Sequence, residues 1–280
     1  MNRCIMAVGA HADDIELNTG GTLVKYAAQG YGVVYVMATN NMAGIVSELQ
    51  GDGAVRQTRE TPVPMMARRK RECDAGAQAL GTTPIHLDHP QRHYNTGVGD
   101  EVCELRYGGA LPAGVPANVP TILTAHEDAA SRRRVVDLIL AHDPECVFTH
   151  GISQVDMEHL GTALLVTRSY WEAVEAGFRG ALLHWREDHT FLGEINCRWD
   201  TFVDCTPWLD RKMELIGLHR CQMPKAHLPT FGPRLRALRW GAVCGCGAAE
   251  LFTWVRRADR RAPHGPVYEP LTLELIRNTR

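Results

Sequence analysis

Three residues near the start of the chain, His11, Asp13 and Asp14, follow directly on an apolar run, Cys4–Gly9 (CIMAVG). Imidazole and carboxylate are both good ligands for zinc and related divalent ions. Two adjacent carboxylates point different ways in a turn, so one can bind an ion while its neighbour faces a water. That division would place a Lewis acid and a general base within five residues. A catalytic zinc wants three protein ligands and an open position. The third should come from another strand end, and His150 and His159 are both candidates. His150 closes a second apolar run, residues 145–149 (ECVFT), and His159 falls in the first turns of the segment that follows. A helix N-terminus there would also favour a developing oxyanion. Read alone, His11 to Asp14 is equally what a polar turn with a helix N-cap looks like.

The surrounding pattern says what must position these residues. Residues 4–9 suit a strand buried on both faces, and 20–30 (GGTLVKYAAQG) a helix closed by glycine. Residues 33–39 (VVYVMAT) read as a second buried strand, completing a β-α-β unit that crosses over right-handedly into a parallel sheet. Ligands of such sheets bind beyond the carboxyl ends of the strands, which is where His11, Asp13 and Asp14 fall. Further on, residues 40–64 read as a long loop, 68–80 as a helix stopped by Gly81, and 84–87 as a short strand. Residues 89–127 are rich in Gly and Pro, and a loop of that length is expected to be a lid or an interface element. A helix over 129–142, the strand 145–149 and a long helix over 157–175 complete the repeats. Beyond them a strand is expected over 198–205, and a helix over 206–221 with Thr206 as N-cap and Pro207 at its first position. Residues 223–236 are expected as loop, and 250–255 as a last strand or helix. The expected architecture is α/β: a Rossmann-like, mostly parallel sheet with helices on both faces. It is expected as a single domain over 1–280, with a core over about 1–175, the insertion 89–127 and a C-terminal elaboration over 176–280.

Composition narrows the function classes. The 280 residues carry a formal net charge of -2 and are 45% hydrophobic, which argues against a general nucleic-acid binder and for a chain that buries a real core. The basic run Arg68-Arg69-Lys70-Arg71 reads as a solvated helix face. Nine scattered cysteines form no framework of close pairs, and Cys244-Gly245-Cys246 lacks the second pair that a zinc site would need. Free thiols in a reducing, cytoplasmic setting are expected. No secretory leader is visible, and no run approaches the ~18 apolar residues of a membrane span. HADD, rather than a Gly-rich phosphate loop, follows the first strand, which argues against a nucleotide-binding Rossmann protein.

The whole stretch AVGAHADDIELNTGGTLVKYAAQG resembles the opening of the LmbE-like, or PIG-L, family of zinc-dependent N-acetylglucosaminyl deacetylases. The family's usual form is A-H-P-D-D-E or A-H-P-D-D-x-E, then G-G-T-L or G-G-T-I; here Ala12 stands for the Pro. A second block of Arg69, Glu72, Leu80 and Gly81 fits the family's spacing, as does VFTHGISQVDMEHLG, with Glu158-His159 in the place of a D-H pair. DTFVDCTPWLDRKMELIGLHRCQ is similar to a strand and helix ending in H-x-S-Q, and GAAELF to a closing A-E-x-F. The resemblance implies that His11, Asp14 and His159 bind Zn2+ (or another divalent metal), that Asp13 is the general base and that Arg69 holds substrate. The substrate it implies is an acylated amino sugar or glycoconjugate. Members usually carry H-P-D-H, whose first His helps the oxyanion. Asp156 holds that place here, so His150, or another loop histidine such as His89, His93 or His126, is a candidate substitute. The insertion 89–127, absent from short members, would shape the pocket or build a homo-oligomer interface. The alternatives are an amidase acting on another amide, such as a thiol-sugar conjugate, and a non-catalytic metal- or sugar-binding relative.

Overall fold

The computed structural model describes residues 3–187, 199–255 and 267–268. Strand β1 (Cys4–Gly9), helix α1 (Asp14–Ala28) and strand β2 (Gly32–Thr39) form the first β-α-β unit. A hairpin of β3 (Val46–Leu49) and β4 (Val55–Thr58) precedes α2 (Pro62–Ala79) and β5 (Ile85–His89). The insertion contains a short hairpin, β6 (His93–Asn95) and β7 (Val102–Glu104). Then come α3 (Ala129–His142), β8 (Cys146–His150), α4 (Met157–Glu175) and β9 (Ala181–Trp185). The remainder adds β10 (Thr201–Asp204), α5 (Leu209–Ile216), α6 (Gly232–Cys244), β11 (Ala249–Trp254) and β12 (Val267–Tyr268).

Eight of these strands make one sheet, in the order β12-β10-β11-β9-β8-β1-β2-β5. The run β9-β8-β1-β2-β5 is parallel throughout, and β11 alone runs against its two neighbours. The chain leaves β1 toward β2 and β5, then returns to place β8 on β1's other side. The sheet's direction of winding therefore reverses between β1 and β8, and the crevice at their carboxyl ends is where such sheets bind ligands.

Strand β1 shows why the sheet is covered on both faces. Ile5 and Ala7 pack into one apolar cluster with Ile15 and Leu23 of α1 and Cys73 and Ala77 of α2. Met6 and Val8 enter the opposite cluster, with Val135, Val136 and Ile139 of α3 and Leu165 and Val166 of α4. Alternate side chains of a buried strand must each find a hydrophobic layer, so a continuous apolar run demands helices on both sides. Gly161 of α4 lets the insertion lie against that helix: a Cβ there would come within 2.5 Å of the Ile122 carbonyl oxygen.

The expected loops differ from the structure in one recurrent way. Helix α2 begins at Pro62 rather than residue 68, and α6 begins at Gly232, inside the segment expected as loop. Both carry Pro in the first turn, where its missing N–H costs no helical hydrogen bond. The helix expected over 206–221 is a single 3-10 turn at Thr206–Trp208 followed by α5, which stops at Ile216. Residues 46–58 form the β3–β4 hairpin, turned at Gly53 in the left-handed region (φ 84°). Of the strand expected over 198–205, Arg198 lies outside the described residues. Cys244 ends α6, and Gly245, with φ 77°, caps it.

Candidate active site

The chain leaves β1 through a tight turn that presents its polar side chains at the β1–β8 crevice. Asp13 precedes α1 with φ 117° and ψ -28°, a backbone conformation that L-residues rarely adopt. Its neighbours hold it there. Ala12 N–H donates to Asn41 Oδ1 at 2.8 Å, and the Arg69 guanidinium donates to the Ala12 carbonyl and to Asp13 Oδ2, the latter at 3.3 Å. Strain of this kind costs about 1–3 kcal/mol and persists where surrounding contacts over-determine it. Asp14 opens α1, and its Oδ2 accepts from His11 N–H at 2.6 Å.

His159 comes from the other side of the crevice, on the first turn of α4. Asp156 caps that helix, accepting from Glu158 N–H at 2.7 Å and His159 N–H at 3.4 Å. The carboxylate that stands in the place of the family's oxyanion histidine is thus engaged with the helix backbone.

The hydrogen bonds show which ring nitrogens face the carboxylates. His11 Nε2 lies 2.6 Å from Glu158 Oε2, and His159 Nδ1 lies 2.7 Å from Glu187 Oε2. An ionised carboxylate only accepts, so both nitrogens carry the proton. In the neutral rings the lone pairs then fall on His11 Nδ1 and His159 Nε2, two atoms 3.1 Å apart. Asp14 closes the triangle, with Oδ2 at 3.5 Å from His11 Nδ1 and Oδ1 at 3.4 Å from His159 Nε2. Three electron-rich atoms face one another, and only a cation, whether a proton or a metal ion, reconciles them. Two ligands of a tetrahedral zinc, each about 2.0–2.1 Å from it, stand about 3.3 Å apart, close to the observed separations. The residues present therefore fit a divalent metal ion.

Electrostatics report the same convergence. Burial alone would lower the pKa of His159, but Asp14 and Glu187 outweigh it and hold the imidazole well above its ordinary value. Burial would raise Asp14, yet His159 and His150 hold it well below the usual carboxylate range. Glu158 is likewise depressed to about 2, its burial outweighed by the hydrogen bond from His11. Asp13 goes the other way. Burial pushes it up to about 6 against the pull of Arg69, with the Asp14 charge adding to the rise.

His150, His159 and Glu187 form a second cluster. Its contacts are those of a hydrogen-bonded network. Glu187 accepts from the Nδ1–H of His150, the Nδ1–H of His159 and, at 2.7 Å, the Trp185 indole. His150 Nε2 accepts from Ala10 N–H at 2.9 Å and lies 3.2 Å from Asp14 Oδ2. His150 is fully buried behind Asp14 with both ring nitrogens engaged, so it is not presented to the crevice. His89 is also spent within the fold, with Nδ1 2.9 Å from the Pro120 carbonyl oxygen. His93 lies on β6 and His126 beside Glu127; neither belongs to a cluster that could hold an ion among the described residues.

The structure also connects residues for which the spacing gave no role. Gln91 Nε2 and Arg92 N–H, from the insertion, donate to Glu158 at 2.9 and 2.6 Å, so residues 89–127 are anchored onto the carboxylate that holds His11. Glu187 stands two residues beyond β9, and β9 pairs with β8 so that Trp185 lies beside His150. A polar residue just past the carboxyl end of a buried strand is the one sequence signal that could have found it. His219 is buried with Nε2 3.1 Å from Glu16 Oε2, behind Asp13. Arg69, expected to hold substrate, is 4% exposed, and its guanidinium donates to Asp13.

Comparison with known proteins identifies the family and supports the fold. Residues 6–170 match the PIG-L family, described as GlcNAc-PI de-N-acetylase. A 1D-myo-inositol 2-acetamido-2-deoxy-alpha-D-glucopyranoside deacetylase of Kribbella flavida is 26% identical over 261 residues, covering 79% of this chain and 84% of that protein. The N,N'-diacetylchitobiose deacetylase of Pyrococcus horikoshii superposes with a TM-score of 0.61 at 18% identity, over 91% of this chain and 84% of its own. GalB, the 4-carboxy-2-hydroxymuconate hydratase of Pseudomonas putida, superposes with a TM-score of 0.63 at 19% identity, over 93% and 99%. At such identities the two structural likenesses speak for the fold alone. With more than half its length matched, this chain belongs to the PIG-L, or LmbE-like, family.

Proposed function

We propose that the chain is a metal-dependent hydrolase that removes an N-acetyl group from an N-acetylglucosamine-type amino sugar or glycoconjugate. His11 Nδ1, Asp14 and His159 Nε2 would hold the ion, with zinc suited to two imidazoles and a carboxylate. The observation that carries this reading is the pair of facing ring nitrogens at 3.1 Å, closed by Asp14, with the Asp13 carboxylate next along the chain. A divalent ion in that position supplies Lewis acidity, acidifying a water and stabilising negative charge on the amide oxygen.

The rest falls to the protein. Asp13 accepts the proton as water adds to the amide carbon, and returns it to the nitrogen as the C–N bond breaks, giving acetate and a free amine. A carboxyl near neutrality suits both transfers, and burial against the Arg69 charge puts it at about 6. Arg69 orients that carboxylate, and its Nε, buried without an acceptor, remains as a donor for substrate. His11 is the most exposed of the three ligands, so substrate enters from its side.

The sequence relative named for an acetamido-glucosyl inositol guides the choice of substrate. Acetate release is measured from N-acetylglucosaminyl inositol, N,N'-diacetylchitobiose and free N-acetylglucosamine, with and without a chelator. The expected result is release from at least one of them that the chelator abolishes. No release from any acetylated amino sugar by ion-loaded protein contradicts the reading and favours a binding protein or an enzyme of another substrate class.

A further inference from the structure

The sequence motifs account for His11, Asp13, Asp14 and His159 but leave Glu187 without a role, although it is 5% exposed and sits at the same crevice. Burying a carboxylate is costly unless it is paired and hydrogen-bonded. Among the described residues, donors converge on Glu187 from two strand ends and a helix: His150, His159 and Trp185. One oxygen takes His150 and Trp185, and the other takes His159 at 2.7 Å.

That second contact decides the state of His159. An imidazole offers a lone pair on one nitrogen only when its proton sits on the other. With Nδ1–H bound to Glu187, the lone pair is on Nε2, the atom facing His11 Nδ1 and Asp14. The ring is held in that rotamer as well. It stacks on His150 with centroids 4.2 Å apart and planes inclined at 29°, and His150 is anchored to the same carboxylate. Without Glu187 the ring is free to take the other tautomer or to turn.

We propose that Glu187 is a positioning residue that fixes the tautomer and orientation of His159, and so sets the affinity and lifetime of the bound ion. The proposal rests on the reading of His11, Asp14 and His159 as metal ligands. Carboxylates that hold a ligating imidazole in this way contribute about 10–100-fold to metal affinity.

The test measures cobalt(II) affinity of the full chain, by competition with a chromophoric chelator, together with the visible spectrum of the cobalt-loaded protein. Glu187→Gln presents an amide of the same shape, and Glu187→Asp keeps the charge but shortens the reach. Weakening of about 10–100-fold is expected for Glu187→Gln, with a smaller loss for Glu187→Asp and altered cobalt bands in both. Thermal unfolding of the ion-stripped variants separates folding from binding. A residue needed only for packing would lower that stability and leave the affinity of the folded protein and the cobalt bands as in wild type. Wild-type affinity and bands in folded Glu187→Gln, or in Glu187→Asp should the first fail to fold, overturn the proposal. If His159→Ala also binds cobalt as tightly as wild type, the ligand reading has failed with it. If only His159→Ala loses the ion, the role of Glu187 alone has failed.

Discussion

At the scale of single residues, the site is held together by the way carboxylates divide the work. Asp14 faces one nitrogen of His11 and one of His159, Glu158 and Glu187 hold the other two, and Asp13 stands apart against Arg69. The proposed base is thus separable from the ion. Asp13→Asn keeps the size of the side chain and removes the proton acceptor. It is expected to lower kcat by about 10²–10⁴-fold while binding the ion as wild type does. Turnover at the parent rate in a folded Asp13→Asn protein would show that another group takes the proton. Much of this scale was legible in the sequence, because His11, Asp13 and Asp14 are neighbours in a turn whose place at a strand end is set by the apolar run before it. What was not legible is the partner of each imidazole. Glu187 is 28 residues from His159, and Gln91 is 67 from Glu158, and no spacing rule links them. Nor does residue type reveal that Arg69 would fold back on Asp13 or that His150 would lie beneath Asp14, since both placements depend on which strands are neighbours.

At the scale of elements, the proposed ligand His159 is only as well placed as α4, and α4 is held in part by what rests on it. Gly161, two residues past His159, leaves room for the Ile122 carbonyl of the insertion. Gly161→Ala would drive a methyl into backbone that cannot move without displacing residues 119–127. The expected loss is about 1–3 kcal/mol of unfolding free energy in denaturant titration, with an unchanged slope. An unfolding curve superposing on wild type would mean that the insertion does not pack there in solution. A further buried device ties the N-terminal motif to β11. Glu250 of β11 accepts from Gly21 N–H, Thr22 N–H and the Thr22 hydroxyl, and pairs with Lys212 of α5 at 2.6 Å. The G-G-T-L and A-E-x-F blocks of the sequence are thus two halves of one structural contact rather than parts of the active site. The buried strands and the helices α3 and α4 were legible because apolar runs and periodic stretches are strong local signals. Helices α2 and α6 were obscured by first-turn prolines, which read as loop from sequence but are tolerated where no helical N–H bond is lost.

At the scale of the whole molecule, the fold alone does not choose the reaction, since a hydratase and a deacetylase both superpose on this chain. Among the described residues no helix is long and apolar enough to cross a membrane. Stability should also carry a histidine signature. Burial, helped by the nearby His150, pushes His184 of β9 from 6.5 down to about 4. The folded chain therefore binds fewer protons than the unfolded chain between those values. Stability falls as pH drops through that window, by about 1.4 kcal/mol for each unit of depression once below it. Between pH 7.5 and 5.5, wild type should lose about 1 kcal/mol more than His184→Gln. Equal losses in the two proteins would place His184 in contact with solvent.

In the proposed reaction one divalent ion and one neighbouring carboxylate together release acetate. The most direct measurement is a titration of ion-stripped protein with zinc, following acetate release and bound zinc in the same samples. The account predicts that release rises from background to a plateau at about one equivalent. Asp13→Asn should bind the same equivalent and stay at background. Full acetate release from protein stripped of metal, or from ion-loaded Asp13→Asn, would contradict it.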